Sequence, residues 1–149
     1  IVLETRLGEH GIDASLIWSV DEPAGIGLLD VLPRRATKLH AVEFLQKSLG
    51  VPLSCTLFAG DSGNDLPVLA SPIPSVLVAN ATPLVASTAM SAAKSAGNQQ
   101  ALYLARGNLF GMNGNYSAGI LEGVAHFHPE LIELFSNQSS KDHPAKSEE

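Results

Sequence analysis

Apolar and polar residues alternate over residues 14–20, a pattern typical of a half-buried β-strand. A second apolar segment covers residues 26–32, and the intervening Asp-Glu-Pro-Ala-Gly at 21–25 has the composition of a turn. Residues 1–10 have weak helical character and end near a glycine. The first part of the chain is therefore predicted to be a helix followed by a β-hairpin.

From residue 37 the pattern changes to helices that alternate with strands. Apolar residues recur at three- and four-residue spacing over 37–49, which predicts a helix with a buried face. That face consists of Leu39, Val42, Leu45 and Leu49. Short apolar runs at 55–59 and 75–79 are typical of buried parallel strands, and 83–93 is predicted to be helical. Helices that alternate with such strands predict a doubly wound parallel sheet.

The last third of the chain is less regular. Residues 100–106 fit a helix or a strand equally well, and 107–115 form a loop rich in glycine and asparagine. Residues 116–127 are predicted to form a helix and 129–135 a short terminal helix. The polar residues after 135 are predicted to be disordered.

Composition and charge narrow the function classes. Of the 149 residues, 45% are hydrophobic and 16% charged, which is typical of a globular domain. The net charge of −6 and the lack of a basic run argue against binding to nucleic acid or an anionic membrane surface. No apolar run approaches the length of a membrane span. Cys55 is the only cysteine, so a reducing compartment such as the cytoplasm is expected, and its place in a predicted strand suggests a buried thiol.

The candidate chemistry begins with the turn Gly-Asp-Ser-Gly-Asn-Asp at residues 60–65, which follows a predicted strand. Ligands of open α/β sheets bind beyond the carboxyl ends of the strands, where this turn lies. Asp61 and Asp65 are four residues apart, and two carboxylates on a tight turn suit a hard cation such as Mg²⁺. Asp, Ser, Gly and Asn are common turn residues, so turn chemistry alone explains one or two residues of the motif. It does not explain two carboxylates packed against an apolar strand.

Lys38 lies in the first turn of the predicted helix 37–49. The helix dipole disfavours a cation there, so one interpretation is a solvated lysine. The other is that Lys38 and the helix N-terminus together hold an anion such as phosphate.

Other motifs fit poorly. Gly60, Ser62 and Asn64 approach the Gly-x-Ser-x-Gly nucleophile elbow of serine hydrolases, but the last position is not glycine. The turn also fails the EF-hand pattern, and no Walker A or G-x-G-x-x-G sequence is present. His126 and His128 would diverge in a helix, which disfavours a shared metal.

The spacing of these motifs resembles the haloacid dehalogenase (HAD) superfamily of phosphohydrolases. Residues 60–65 are similar to the fourth motif of that family, Lys38 to its third-motif lysine, and 78–81 to the strand and turn that follow. Residues 32–38 and 111–123 resemble the branch that contains sucrose-phosphate and mannosylfructose-phosphate phosphatases.

The resemblance implies a role for each residue of the turn. Asp61 would be a direct Mg²⁺ ligand, and Asp65 a second acidic ligand, directly or through water. Ser62 and Asn64 would support the loop or reach the phosphate. Lys38 would neutralise the transferring phosphoryl group. Lys38, Asp61 and Asp65 are thus the expected catalytic residues, and the expected substrate is a small sugar phosphate.

The resemblance also implies a domain organisation. The fold class is α/β: the second half of a doubly wound, Rossmann-like HAD sheet, preceded by the αββ end of a type IIB α+β cap domain. Residues 1–33 would be the end of the cap, 34–136 the second half of the core and 137–149 a disordered tail. The rest of the cap would precede Ile1.

The nucleophile of the family is an aspartate in an Asp-x-Asp motif, which this sequence lacks. One hypothesis is that the chain is the C-terminal part of a Mg²⁺-dependent sugar-phosphate phosphatase, and that residues 1–149 alone fold poorly and are inactive. The alternative is a non-catalytic relative that binds or regulates a carbohydrate-synthesising partner, such as a sugar-phosphate synthase. The sugar is not identified, and Asn113, Asn115 and Tyr116 could serve packing or substrate contact.

Overall fold

The computed structural model describes residues 2–21 and 24–133. Five strands and five α-helices follow one another in these residues in the order α1-β1-β2-α2-β3-α3-β4-α4-β5-α5. The helices are α1 (Val2–Glu9), α2 (Lys38–Leu49), α3 (Leu66–Leu69), α4 (Pro83–Ser95) and α5 (Tyr116–Phe127). The strands are β1 (Ala14–Asp21), β2 (Ile26–Pro33), β3 (Phe58–Gly60), β4 (Ser75–Leu77) and β5 (Leu102–Leu104). The predicted disordered tail at 137–149 lies outside the described residues.

The predicted hairpin is present. Strands β1 and β2 pair antiparallel from Ala14 opposite Pro33 to Asp21 opposite Ile26. The indole of Trp18 lies over Gly27 of the neighbouring strand, where an added Cβ would be 2.5 Å from a ring carbon. Glycine at this position therefore makes room for the large aromatic ring.

The predicted parallel sheet is also present. Its strand order is β3-β4-β5, and both neighbouring pairs are parallel. Parallel strands need crossover connections, which here contain α3 and α4. The mixed α/β architecture predicted from the alternation of helices and strands is confirmed.

The hydrophobic core lies around β4, the central strand. All three of its residues are buried, and Leu77 packs in one cluster with Leu69 of α3 and Ala89 of α4. Helix α5 crosses the sheet very closely, because a Cβ added to Gly123 would lie 2.7 Å from Cβ of Val76. The small residues of α5 let the helix backbone approach the β4 side chains.

Strand β3 starts later than predicted. Residues Leu53–Cys55 form a 3-10 turn after Pro52, in which the Thr56 N–H donates to the Leu53 carbonyl, and the strand begins only at Phe58. Proline fixes the backbone ahead of this turn and cannot donate to a ladder. The expectation of a buried thiol in a core strand is wrong, because Cys55 is exposed.

The predicted buried face of α2 is only partly buried. Leu39 and Val42 are half-buried, but Leu45 and Leu49 are 57% and 66% exposed. Within the part of the chain that the structure describes, α2 packs chiefly on the short helix α3. A four-residue helix is too short to cover three turns of a neighbour, which explains the difference.

The remaining differences are local. The ambiguous stretch at 100–106 contains a 3-10 turn followed by β5, and in the described part of 129–135 a 3-10 turn covers Pro129–Leu131. Among the described residues, no helix combines the length and the apolar character that a membrane crossing requires.

Candidate active site

The turn after β3 is organised around the buried carboxylate of Asp65. Its Oδ2 accepts hydrogen bonds from the backbone N–H groups of Asp61 and Ser62, each at 3.1 Å, and lies 2.9 Å from the Ser62 hydroxyl. The Asp65 side chain is only 4% exposed. A carboxylate that accepts several N–H bonds fixes the backbone around it, so Asp65 gives the turn its shape.

Gly60 allows this arrangement. A Cβ at position 60 would lie 2.7 Å from Cβ, Cγ and Oδ2 of Asp65, whereas a Cβ at Gly63 would meet nothing within 4 Å. The two glycines of the motif therefore have different roles. Gly60 provides space for a buried side chain, and Gly63 does not.

Lys38 completes the turn from a different element. Its Nζ lies 2.5 Å from Asp65 Oδ1 and 2.9 Å from Asn64 Oδ1. Lys38 is the first residue of helix α2, and the preceding Thr37 is the N-cap, which accepts a hydrogen bond from the His40 N–H at 3.2 Å. The ion pair with Asp65 offsets the unfavourable helix dipole, so Lys38 is not simply a solvated lysine.

These contacts also shift the ionisation of Asp65. Burial raises the pKa of this carboxyl, but hydrogen bonds from Lys38, the Ser62 backbone and hydroxyl, and the Asp61 N–H outweigh burial. The net result is a pKa below the usual value of 3.8. Asp65 therefore stays anionic and holds the ammonium group in place.

Asp61 points away from this network towards the next strand. Its Oδ2 accepts a hydrogen bond of 2.9 Å from Nδ2 of Asn80, which follows β4. Asn80 Oδ1 in turn accepts from the backbone N–H of Tyr116, the first residue of α5, at 2.8 Å. Asn80 is not among the site residues predicted from the sequence. Its signals in the sequence are its position in the turn after a predicted parallel strand and its place within residues 78–81, for which the family resemblance implied no site role.

The structure brings the predicted site residues together, with Asp61 set slightly apart from the other four. Lys38, Asn64, Ser62 and Asp65 form one hydrogen-bonded group, and Asp61 is connected to it through the backbone of the turn. A pocket of about 320 Å³ lies beside the lysine, between the turn and strand β1 of the hairpin. Its lining includes Lys38, Asn64, Ser15 and Trp18. The pocket therefore has a cationic and polar end and an aromatic residue nearby.

The serine and the two histidines of the poorly fitting motifs make local structural contacts. The Ser62 hydroxyl lies 2.7 Å from Asn64 Oδ1 and 2.9 Å from Asp65 Oδ2, so its proton points into the turn. This bonding within the turn does not resemble that of an activated nucleophile. His126 stacks on Tyr103 with ring centroids 4.2 Å apart, and His128 lies 3.3 Å from Glu130.

A buried glutamate outside the predicted site supports the loop that precedes α5. Glu122 accepts from the Tyr103 hydroxyl at 2.7 Å and from the N–H groups of Arg106 and Gly107 at 2.8 Å each. Burial raises its pKa, but these hydrogen bonds together outweigh burial and lower the pKa below 4.5. The sequence signal for this role is a glutamate within the apolar pattern of the predicted helix 116–127, because a charged residue there is buried only when it is paired.

The carboxylates of the turn could supply part of the coordination of a Mg²⁺ ion. Among residues 2–21 and 24–133, no group of three or more histidine, cysteine or acidic side chains could hold a metal ion. Mg²⁺ often binds through one or two carboxylates and keeps several water ligands. The half-buried Asp61 carboxylate, at the end of a parallel strand, fits one such position.

Comparison with known proteins identifies the family. The sequence profile of sucrose-6F-phosphate phosphohydrolase matches residues 2–128. The chain belongs to this family. This match confirms the resemblance to HAD phosphatases, a family of phosphatase-type hydrolases.

Individual relatives agree with the family assignment. A protein of Nitrosococcus oceani, named for its likeness to HAD hydrolases, is 52% identical over 148 residues, which are 97% of this chain and 40% of the relative. Sucrose-phosphatase 1 of Nicotiana tabacum is 41% identical over 83 residues, which are 53% of this chain and 18% of that protein.

A solved structure confirms the fold. The sucrose-phosphatase of Synechocystis sp. PCC6803, determined in complex with sucrose and phosphate, aligns with a TM-score of 0.61 and 30% identity. The alignment covers 85% of this chain and 46% of the Synechocystis chain. The 149-residue chain therefore spans less than half the length of the relatives it matches.

Proposed function

We propose that the polypeptide containing these residues is a Mg²⁺-dependent sugar-phosphate phosphatase that acts on a phosphate ester of sucrose or a similar sugar. The observation that carries the proposal is the contact between Lys38 and Asp65 beside Asp61, at the carboxyl end of a parallel strand. Family membership supports the same chemistry.

Lys38 is proposed to stabilise the transferring phosphoryl group. Its ammonium lies at the edge of the pocket of about 320 Å³, held by Asp65 and Asn64 on one side. Phosphoryl transfer depends mainly on positioning and on neutralising negative charge. A cation that is already oriented by buried acceptors needs little rearrangement when charge develops on the phosphate. Asn64, which lines the same pocket, and Ser62 are proposed to support the loop or to reach the phosphate.

Asp61 is proposed to be the direct Mg²⁺ ligand supplied by this chain. When bound, Mg²⁺ would offset charge on the phosphate and the attacking group. Asp65 is proposed as the second acidic Mg²⁺ ligand, binding the ion through water, because donors of the turn already occupy its Oδ2.

The nucleophile is proposed to come from sequence other than these 149 residues. A carboxylate oxygen would attack phosphorus and form an aspartyl-phosphate while the bond from phosphorus to the sugar oxygen breaks, and the sugar oxygen takes up a proton. Water would then attack phosphorus and release inorganic phosphate, which regenerates the carboxylate. The aspartates of this chain do not form an Asp-x-Asp motif, so it supplies the electrostatic part of the site.

The first test is the intact mass of the polypeptide from its own cell, followed by phosphate release from a panel that includes sucrose phosphate. A mass above 15.6 kDa and an added Asp-x-Asp strand are expected. Asp61→Asn and Lys38→Met should each reduce kcat at least about a hundredfold, and Ser62→Ala much less. A mass equal to these residues, or full activity of Asp61→Asn, would contradict the proposal. Loss of activity only in Ser62→Ala would favour a serine hydrolase instead.

Three further predictions belong to this proposal. A cytoplasmic location rests on the single cysteine. A domain boundary between residues 33 and 34 is predicted, with the hairpin in the cap and α2 in the core. A sugar-phosphate synthase partner is a prediction that co-purification from the native cell would test.

A further inference from the structure

Asn80 joins two parts of the molecule that are far apart in sequence. Its Nδ2 donates to Asp61 Oδ2 at 2.9 Å, and its Oδ1 accepts from the Tyr116 N–H at 2.8 Å. The partners fix the orientation of the amide, because a carboxylate only accepts and a backbone N–H only donates. Aspartate of the same size could make the second bond but not the first, and leucine could make neither.

The second bond meets a need of helix α5. The residue before the helix, Asn115, makes no side-chain hydrogen bond to the helix N-terminus. Tyr116 has a φ of +46°, a left-handed conformation that is costly for a bulky residue. Asn80 therefore supplies the missing acceptor from another element. The backbone bond from the Ala79 N–H to the Gly114 carbonyl, 2.9 Å, holds the same two segments together.

We propose that Asn80 is a positioning residue, which orients the Asp61 carboxylate for metal binding and links its orientation to the start of α5. The proposal rests on the proposed function, because it assumes that Asp61 binds Mg²⁺. Side chains that hydrogen-bond to metal ligands orient those ligands, and their loss commonly costs about 10–100-fold in metal affinity or activity. The half-buried position of Asn80 keeps its amide from exchanging these partners freely for water.

Two substitutions at position 80 separate positioning from helix capping. Asn80→Leu removes both hydrogen bonds. Asn80→Asp keeps the acceptor for Tyr116 but places a like charge beside Asp61. Asn98→Leu is the matched control, because Asn98 is also half-buried and donates from Nδ2, at 2.8 Å, to a carbonyl remote from the site, that of Ala70.

The experiment uses the native polypeptide and measures Mg²⁺ binding by calorimetry, kcat at saturating Mg²⁺, and the melting temperature. Asn80→Leu should raise the Mg²⁺ dissociation constant about 10–100-fold. Asn80→Asp should melt between Asn80→Leu and the wild type, because it keeps the acceptor for Tyr116 but loses the bond to Asp61. It should still lose at least about tenfold in kcat, because the two carboxylates repel each other and Asp61 is no longer held in place. Asn98→Leu should melt at a lower temperature while its dissociation constant and kcat stay within about twofold of the wild type.

The outcomes distinguish this inference from the proposed function. Wild-type kcat in a folded Asn80→Asp variant would overturn the positioning role, and so would unchanged Mg²⁺ binding in a folded Asn80→Leu variant. If Asn80→Leu does not fold, Asn80→Asp decides alone. Absence of Mg²⁺ binding in the wild type, or unchanged binding in Asp61→Asn, would overturn the proposed function and this inference together.

Discussion

The carboxylate of Asp65 packs against the backbone of Gly60, so closely that a single added methyl group would lie 2.7 Å from its Cγ. This contact connects the last residue of β3 to the last residue of the motif. The same carboxylate holds Lys38. The shape of the turn and the position of the lysine therefore depend on one glycine.

Gly60→Ala is expected to destabilise the protein by about 1–3 kcal/mol, because the new methyl group meets the Cβ and Cγ of a buried side chain that cannot move aside freely. Phosphatase activity should fall with it, since a displaced Asp65 no longer orients Lys38. Urea unfolding and a phosphate-release assay measure the two effects.

Gly63→Ala is the matched control in the same motif. Nothing lies within 4 Å of a Cβ at Gly63, so its unfolding free energy should change by no more than about 0.5 kcal/mol. Equal effects of the two substitutions would show that the contact between Gly60 and Asp65 is not the cause.

Asp65 should contribute to stability in a way that depends on pH. Its folded pKa is lower than its ordinary value of 3.8, so the unfolded chain takes up the proton first. The contribution is complete above the ordinary value and is lost as the pH falls through the folded pKa. Asp65→Asn should therefore lower stability at pH 7 and flatten its decline below about pH 4. Urea midpoints between about pH 2.5 and 7 test this, and an unchanged acid slope would contradict it.

Glu122 is expected to matter for the loop before α5. Glu122→Leu leaves the N–H groups of Arg106 and Gly107 without their acceptor, at a cost of about 1–3 kcal/mol for each group that stays buried. Glu130→Gln, at an exposed carboxylate beside His128, should change stability by less than about 0.5 kcal/mol. Hydrogen exchange at Arg106 and Gly107 should be faster in Glu122→Leu, and unchanged exchange there would exclude this role.

Tyr116→Gly should be neutral or stabilising. Glycine relieves the left-handed strain of about 1–2 kcal/mol, which offsets its greater freedom in the unfolded chain. Ser117→Gly, one residue further along the same helix, should instead destabilise by about 0.5–1 kcal/mol. Thermal melts of both variants test this, because the change in melting temperature should be zero or positive for Tyr116→Gly and negative for Ser117→Gly. Equal destabilisation of the two variants would show that Tyr116 is not strained.

The sequence pattern predicts the order of elements well. The hairpin, the helix from Lys38, the parallel sheet and the helix over Tyr116–Phe127 all follow from local periodicity and turn residues. Burial is predicted less well, at Cys55 and at Leu45 and Leu49, because it depends on which elements pack together. Periodicity identifies the apolar face of a helix but not the element that covers it.

The candidate site likewise contains residues that the sequence pattern reveals and residues that it does not. Residues 60–65 and Lys38 stand out in the sequence because two carboxylates follow a predicted strand and their spacing from the lysine resembles the pattern of a known family. Asn80 and Glu122 do not, since each acts through hydrogen bonds to partners that are distant in sequence. A single asparagine after a strand is too common to signal such a role.

The connection between the hairpin and α2 has a mechanical consequence. Only residues 34–37 separate β2 from the helix that starts with Lys38. Arg34 is fixed to the beginning of β1 by its N–H bond to the Asp13 carbonyl, 3.1 Å, and by an ion pair with the Asp13 side chain. Because this connection is so short, any tilt of the hairpin would also move the first turn of α2. Any opening of the pocket between the hairpin and the turn would then shift the lysine ammonium at the same moment. Under the proposed function, the entry of a phosphate ester would thereby be coupled to the position of the cation that is proposed to stabilise it.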